Sequence, residues 1–217
     1  MKSFTEEDLS RIREAVQAVE RRTRGEIVPM VVPSSGLYRD AGHLAGLLTG
    51  LLVLVLALTV DTMWPGWGRW MSEPYHFGLV ILGAIVGYVA GHQAGSTPVG
   101  IRLFTSKPRM SMKVRHRAER AFHQHGLHKT RDGTGVLIMI SLLERQVQVL
   151  ADRAINEVVP RGTWEHIVQV VVRGIKDDRP VDGLCRAIAE CGEILARHFP
   201  VSGSNPDELQ DDLIQER

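Results

Sequence analysis

Two apolar runs, AGHLAGLLTGLLVLVLALTV at residues 41–60 and FGLVILGAIVGYVAGHQA at residues 77–94, decide how this chain is organised. Neither run contains Asp, Glu, Lys or Arg. A helix rises about 1.5 Å per residue, so about 20 residues cross a hydrocarbon core of about 30 Å. The pair therefore predicts two transmembrane helices, and the mixed sequence on either side predicts a soluble domain into which they are inserted.

Glycines recur every four residues in both runs, which places each set on one face of its helix. Small residues let two helix backbones approach closely in lipid, where association depends on packing. In an antiparallel hairpin the first glycine of one set falls opposite the last of the other, which predicts a glycine-zipper contact. The same faces suit an isolated helix pair or a higher oligomer. The two sets are Gly42, Gly46 and Gly50, and Gly83, Gly87 and Gly91.

The charge distribution predicts the orientation of this hairpin. The 217 residues carry a net charge of +1, but basic residues cluster before the first run and after the second, while the loop between them has only Arg69. Positive-inside bias therefore predicts a two-pass protein with both termini and the soluble domain in the cytoplasm. The loop, whose centre should turn between Gly66 and Trp67, places Trp64, Trp67 and Trp70 at the far interface.

The remaining sequence predicts an α/β fold. Apolar segments at 27–32, 136–143 and 146–150 are typical of strands, and Pro29 predicts an edge position or a bulge in the first of them. The long connection between the first two strands allows a parallel pair with a right-handed crossover. We therefore predict a small mixed sheet sandwiched by helices, with the hairpin inserted after the first strand. The predicted parts are 1–36 and 98–200 for the domain, 37–97 for the hairpin and 201–217 for an acidic flexible tail.

A basic helix is predicted directly after the hairpin, from about residue 111 to 125. Its cations could contact anionic lipid headgroups, each contributing about 1 kcal/mol near the surface, while its apolar face packs on the sheet. Nucleic-acid binding is not expected, because the segment lacks interleaved aromatic residues for base stacking. The lipid-contacting candidates are Arg109, Lys113, Arg115 and Arg117.

Histidines supply two further candidate sites. His43 and His92 fall at nearly the same depth of the predicted hairpin. Ionisable residues in membrane segments are candidates for function, so a protonation change at this pair could tune helix packing; alternatively both rings are anchors that reach the headgroups. His123, His125 and His128 could ligate a transition metal, or they are exposed imidazoles at a helix end.

Three segments carry a family resemblance: TRGEIV at 23–28, GLHKTRDGTGVLI at 126–138 and LERQVQVLADR at 143–153. They resemble the TPM domain, a family named for thylakoid acid phosphatase, photosystem repair and receptor-modulating members. The membrane hairpin resembles a bacterial branch found alongside LemA-type membrane proteins. The resemblance implies a bacterial inner-membrane location and, as partner, a LemA-type membrane protein or a second copy of the chain.

The activity implied by the resemblance has two forms. Some TPM domains are acid phosphatases or bind Ca²⁺, and others act as assembly modules; the positions that match the calcium-binding members are Asp132 and Asp152. The sequence contains no Gly-x-Ser-x-Gly elbow, P-loop, His-Glu-x-x-His or Cys-x-x-Cys motif. We therefore predict a non-catalytic binding or assembly module with no assigned catalytic residues. The alternative is a metal-dependent, calcium-binding acid phosphatase that uses Asp132 and Asp152.

Overall fold

The structure is a computed structural model that describes residues 4–64, 73–201, 209 and 211–216. The chain divides into two compact units, Met1–Gly36 with Ser111–Arg217, and Leu37–Met110. The predicted turn at Gly66 and Trp67 lies outside the described residues. The helices are α1 (Glu6–Glu20), α2 (Arg39–Met63), α3 (Glu73–Gly95), α4 (Pro98–Phe104), α5 (Lys107–Gln124), α6 (Arg153–Val158), α7 (Thr163–Lys176) and α8 (Pro180–His198). The strands are β1 (Glu26–Val32), β2 (Gly135–Ser141), β3 (Gln146–Ala151) and β4 (Ile214–Gln215).

The first unit is built on a mixed four-stranded sheet in the order β3-β2-β1-β4. β1 and β2 are parallel from Glu26↔Gly135 to Val32↔Ser141, whereas β2 and β3 form an antiparallel hairpin. The parallel pair and its long crossover confirm the predicted topology. The structure therefore has the predicted α/β fold, with the two apolar helices entering after β1.

Both faces of this sheet are covered, because alternate strand residues point to opposite sides. Ile27 and Val31 of β1 pack with α1, α7 and α8, while Val28, Met30 and Val32 pack with the part of α5 that begins at Val114. All seven residues of β1 and of β2 are buried. Strands buried on both faces are apolar at successive positions, which explains why these two lack an alternating pattern.

Pro29 lies inside β1 without interrupting it. Glu26 N–H donates to the Thr134 carbonyl on the β2 side, so the backbone groups of Ile27, Pro29 and Val31 face the other edge. The register with β2 is continuous, and β4 pairs only with Met30 and Val31. The missing N–H of Pro29 therefore removes no ladder hydrogen bond, and β1 contains no bulge.

The C-terminal segment differs from the expected flexible tail. Of residues 201–217 the structure describes 201, 209 and 211–216. Ile214 and Gln215 form β4 on the edge of β1. Leu213 is 8% exposed and packs with the α1 and α8 face, while Ile214 packs with the opposite face. Residues 211–216 thus lie against the sheet, with Leu213 buried on one side and Ile214 partly buried on the other.

The second unit contains the paired helices α2 and α3, followed by α4. The two long helices are apolar enough to span a membrane, and only 11% and 6% of their most apolar windows are buried. Leu47, Leu51 and Phe77 remain 63%, 58% and 60% exposed. Arg109 also belongs to this unit and pairs with Asp40 near the start of α2. The unit as a whole runs from Leu37 to Met110.

The glycine faces of α2 and α3 meet, but not in the predicted register. A Cβ on Gly46 would lie 2.8 Å from the Tyr88 carbonyl, and one on Gly87 would lie 2.8 Å from Val53. Gly46 and Gly87 therefore each face a larger residue of the other helix, whereas Gly95 lies against Gly42. Thr49 adds a hydrogen bond across the pair, since its hydroxyl lies 2.8 Å from the Gly87 carbonyl. Close backbone approach remains the role of these glycines, with side chains filling the space opposite them.

Candidate functional site

The two predicted acidic residues lie close together at one end of the sheet. Asp132 belongs to the loop before β2, whereas Asp152 precedes α6 directly after β3. The loop turns at Gly133, whose φ of +64° favours glycine, and a Cβ there would lie 3.7 Å from Asp152 Oδ2. The antiparallel β2–β3 hairpin thus returns Asp152 to the start of the strand that Asp132 precedes.

Both carboxylates already have partners within the chain. Arg24 Nη1 lies 2.8 Å from Asp132 Oδ2, and the same guanidinium donates from Nε to the Pro200 carbonyl at 3.2 Å. Asp152 is the N-cap of α6 and accepts from the Arg153 N–H at 2.6 Å. An aspartate at an N-cap satisfies a backbone donor and interacts favourably with the helix dipole, which is a structural role.

This arrangement does not fit a calcium site. Calcium takes six to eight oxygen ligands, and here one carboxylate is neutralised by arginine while the other caps a helix. Among the residues that the structure describes, no group of three or more His, Cys, Asp or Glu side chains could hold a metal ion. The loop is therefore held together by charge pairing rather than arranged around a cation.

The histidine run at the end of α5 also forms no group of three metal ligands among the described residues. The ring centroids of His123 and His128 are 4.8 Å apart, with the rings edge to face. His125 does not join them in a metal-ligand group among the described side chains. The two adjacent rings are explained by packing at the helix end, where the chain turns through Gly126 with a φ of +74°.

A polar cluster does form inside the paired apolar helices. The ring centroids of His43 and His92 are 4.8 Å apart, and His43 Nδ1 lies 2.8 Å from the Tyr88 hydroxyl. The Tyr88 ring stacks on His92 at 6.1 Å. His92 Nδ1 is buried and has no hydrogen-bond partner among the described residues. The sequence analysis found the two histidines but missed Tyr88, although it precedes His92 by one helical turn.

The four basic residues proposed for lipid contact have different surroundings. Arg109 pairs with Asp40, Arg115 with Glu119 at 2.9 Å, and Arg117 with Glu216. The Arg117 side chain is only 14% exposed, because the C-terminal segment lies against it. Lys113 places its aliphatic carbons against Gly36. Three of the four cations thus have carboxylate partners within the chain.

A group of carboxyl side chains was missed by the sequence analysis. Glu20 of α1, Glu26 of β1 and Asp211 lie together beside the outer edge of β1, where Ile27 N–H donates to Glu20 Oε1 at 3.4 Å. Burial, the nearby Glu26 and a hydrogen bond with Asp211 raise the pKa of Glu20 to about 9. Gln17 donates to Asp211 Oδ2 at 2.9 Å. Glu20 is therefore protonated at neutral pH and can share its proton with the C-terminal segment.

The structure thus contains an α/β domain in which helices cover a mixed sheet. An apolar helix pair forms part of the connection between its two parallel strands. Residues 95–194 match the family model of the TPM domain.

A solved structure supports the fold. The chain is similar to the NMR structure of the BA42 protein from the psychrophilic bacterium Bizionia argentinensis, with a TM-score of 0.59. The two share 17% identity, and the match covers 99% of this chain and 97% of that one. At this identity the likeness concerns the fold alone. No curated protein matches the chain.

Proposed function

We propose that this protein crosses the bacterial inner membrane twice and holds its TPM domain at the cytoplasmic face as a non-catalytic binding or assembly module. The observation that carries the proposal is the exposed apolar surface of α2 and α3. Soluble proteins rarely expose such large contiguous apolar patches. In a bilayer the same side chains face hydrocarbon, and the backbone groups of both helices are satisfied internally.

The orientation is supported by charge. Arginine and lysine are abundant before residue 41 and after residue 101, and the intervening loop has one. Because cytoplasmic flanks carry the excess of basic residues, the TPM domain is assigned to the cytoplasm. The family context favours a LemA-type membrane protein as partner, and a second copy of the chain is the other candidate.

The non-catalytic part of the proposal is supported by the acidic loop. A metal-dependent phosphatase needs acids free to bind an ion and a phosphate, whereas Asp132 is paired with Arg24 and Asp152 caps α6. Aryl-phosphate hydrolysis with and without Ca²⁺ or Mg²⁺ tests this point. Metal-stimulated hydrolysis that disappears in Asp132→Asn would establish the phosphatase alternative instead.

Membrane topology is tested by cysteine labelling in intact spheroplasts. A membrane-impermeant maleimide should label Gly66→Cys from outside, whereas Glu7→Cys on the exposed side of α1 should react only after lysis. Carbonate extraction should leave the protein in the membrane pellet. Labelling of Glu7→Cys in intact spheroplasts, or release by carbonate, contradicts the proposed placement.

Partner contact is tested by photo-crosslinking from the helix pair. Small residues leave a shallow apolar groove on this pair, lined by Gly46, Gly50 and Leu51 among others, and Leu79 is exposed but does not line it. A photo-reactive residue at Leu51 should yield one discrete adduct in native membranes, and the same residue at Leu79 should not. Equal yields from both positions would show that the groove is not the contact surface.

A further inference from the structure

We propose that a cleft between the β2–β3 turn and the C-terminal end of α7 binds a small organic anion, a carboxylate attached to an apolar body. The cleft has a volume of about 460 Å³, which lies within the range of small-molecule sites. Val147, Val172 and Ile175 contribute apolar wall, and Arg145 and Lys176 contribute cationic groups. This site belongs to the TPM domain alone and does not depend on the membrane placement proposed above.

The backbone of Arg145 is the first observation that carries the inference. Its φ is +53°, and among the described residues only Asp178 shares a positive φ without being glycine. This left-handed conformation disfavours residues with a Cβ, and glycine would remove the strain. An arginine in such a position is strained by its backbone, while its side chain lines the cleft. Strained residues of this kind concentrate at binding sites, where the surroundings hold them in place.

The surroundings of the turn do hold Arg145 in this conformation. Its N–H donates to the Leu142 carbonyl at 3.3 Å, closing the turn. The buried Glu144 carboxylate accepts from the Ser141 hydroxyl and, at 2.9 Å, from the Ser35 N–H. The Ser35 and Ser141 hydroxyls are 2.7 Å apart. These contacts fix the turn to the ends of β1 and β2, so the cleft is preorganised on its strand side.

The second observation is the charge of the cleft. Arg145 and Lys176 form no ion pair with any residue that the structure describes, whereas Arg11, Arg22 and Arg24 each have a carboxylate partner. Asp177 and Asp178 follow Lys176 in the chain but do not line the cleft. Glu144 is occupied by its two serine partners. An anion entering the cleft would therefore meet two cations whose charge is not already satisfied.

The apolar walls define the rest of the ligand. Inorganic phosphate would satisfy the charges but leave the apolar walls in contact with water. A carboxylate with an aliphatic chain or an aromatic ring satisfies both, because its body buries against the walls while its head contacts the cations. We therefore assign the cleft to an amphiphilic monoanion rather than to a simple inorganic ion.

Equilibrium dialysis of the full-length chain in phosphatidylcholine nanodiscs tests this assignment, with empty nanodiscs as the blank. The probe is 2-naphthoate, and its neutral analogue 2-naphthamide has the same body without the charge. We expect saturable binding of one naphthoate per chain and at least about tenfold weaker binding of naphthamide. Absent binding, equal binding of the two, or full displacement of naphthoate by equimolar inorganic phosphate would overturn the proposal.

Variants locate the binding within the cleft. Arg145→Gly relieves the backbone and removes the cation, so naphthoate affinity should fall about tenfold while the unfolding temperature is unchanged or higher. Arg145→Lys should restore part of the affinity, and Lys176→Ala should weaken it. Arg173→Ala removes a charge from the same helix outside the cleft and should bind as the wild type does. Undiminished binding by Arg145→Gly, or an equal loss in Arg173→Ala, would place the ligand elsewhere.

Discussion

Arg24 Nη1 lies 2.8 Å from Asp132 Oδ2, so one of the two predicted calcium ligands is paired with a cation of its own chain. Replacing Arg24 with Gln should free this carboxylate beside Asp152. We expect calorimetric calcium affinity to rise at least about threefold and the free energy of unfolding to fall by about 0.5–1 kcal/mol, because the pair is partly exposed. Arg22→Gln, which breaks the exposed pair with Glu193, is the control. Equal calcium affinity in the two variants would show that Arg24 does not limit binding.

Glu20 predicts a dependence of stability on pH. Its pKa is raised from 4.5 to about 9, so the folded state binds its proton more tightly than the unfolded state does. The resulting stabilisation is fully present below about pH 4.5 and is lost as pH rises through about 9. Glu20→Gln should remove this loss and raise the free energy of unfolding at pH 9 by about 1 kcal/mol or more. Urea titrations at pH 5, 7 and 9 measure it.

The control for this pH effect is Glu14→Gln, an exposed glutamate on the same helix. It should leave the slope of stability against pH unchanged. The relevant neighbours of Glu20 are Glu26 of β1 and Asp211 of the C-terminal segment. If Glu20→Gln retains the wild-type slope, the carboxyl cluster does not control stability in this range.

Leu213 anchors the C-terminal segment. Leu213→Ala should destabilise the attachment of β4 by about 2 kcal/mol, because a buried leucine loses contacts and leaves a cavity. Hydrogen exchange should then be faster at Glu216, whose N–H donates to the Val31 carbonyl at 3.1 Å. Exchange at Val136 and Ile138 should be unchanged, since β2 is paired on both sides. Equal acceleration in β2 would indicate global rather than local opening.

Gly91 tests the close approach of α2 and α3. A Cβ there would overlap Thr49 Oγ1 and lie 2.8 Å from the Ala45 carbonyl, whereas a Cβ on Gly78 would meet nothing within 4 Å. Gly91→Ala should therefore separate the helices and lower the unfolding temperature in detergent, and Gly78→Ala should not. A distance between spin labels on the two helices measures the separation. Identical distances in both variants would exclude close packing at Gly91.

The strands and the helix pair were predictable because their signals are long. β1 and β2 are apolar at successive positions, and two runs of about 20 residues without charge predict two long apolar helices. The glycine register was less predictable, since spacing gives the face of a helix but not its sliding position. Tyr88 fills the space opposite Gly46, and no pattern of small residues reveals that packing.

A very short strand and contacts between residues distant in the sequence were not predictable. β4 is two residues long and lies in an acidic segment, so its sequence resembles a mobile tail; its position depends on Arg13, Gln17 and Arg117 of distant helices. Position 145 holds arginine, whereas a left-handed turn residue is usually glycine or asparagine. Glu20 looks like an ordinary helical glutamate, and only its distant neighbours change its pKa.

The placement of the apolar helices between β1 and β2 affects the order of events during synthesis. β1 ends at Val32, and its partner β2 begins only at Gly135, after both apolar helices have been translated. At about 5–20 residues per second this delay is on the order of 5–20 s. During it β1, which is buried along its whole length in the finished sheet, has no β2 to pair with. Both apolar helices are therefore synthesised before the parallel pair of β1 and β2 can form.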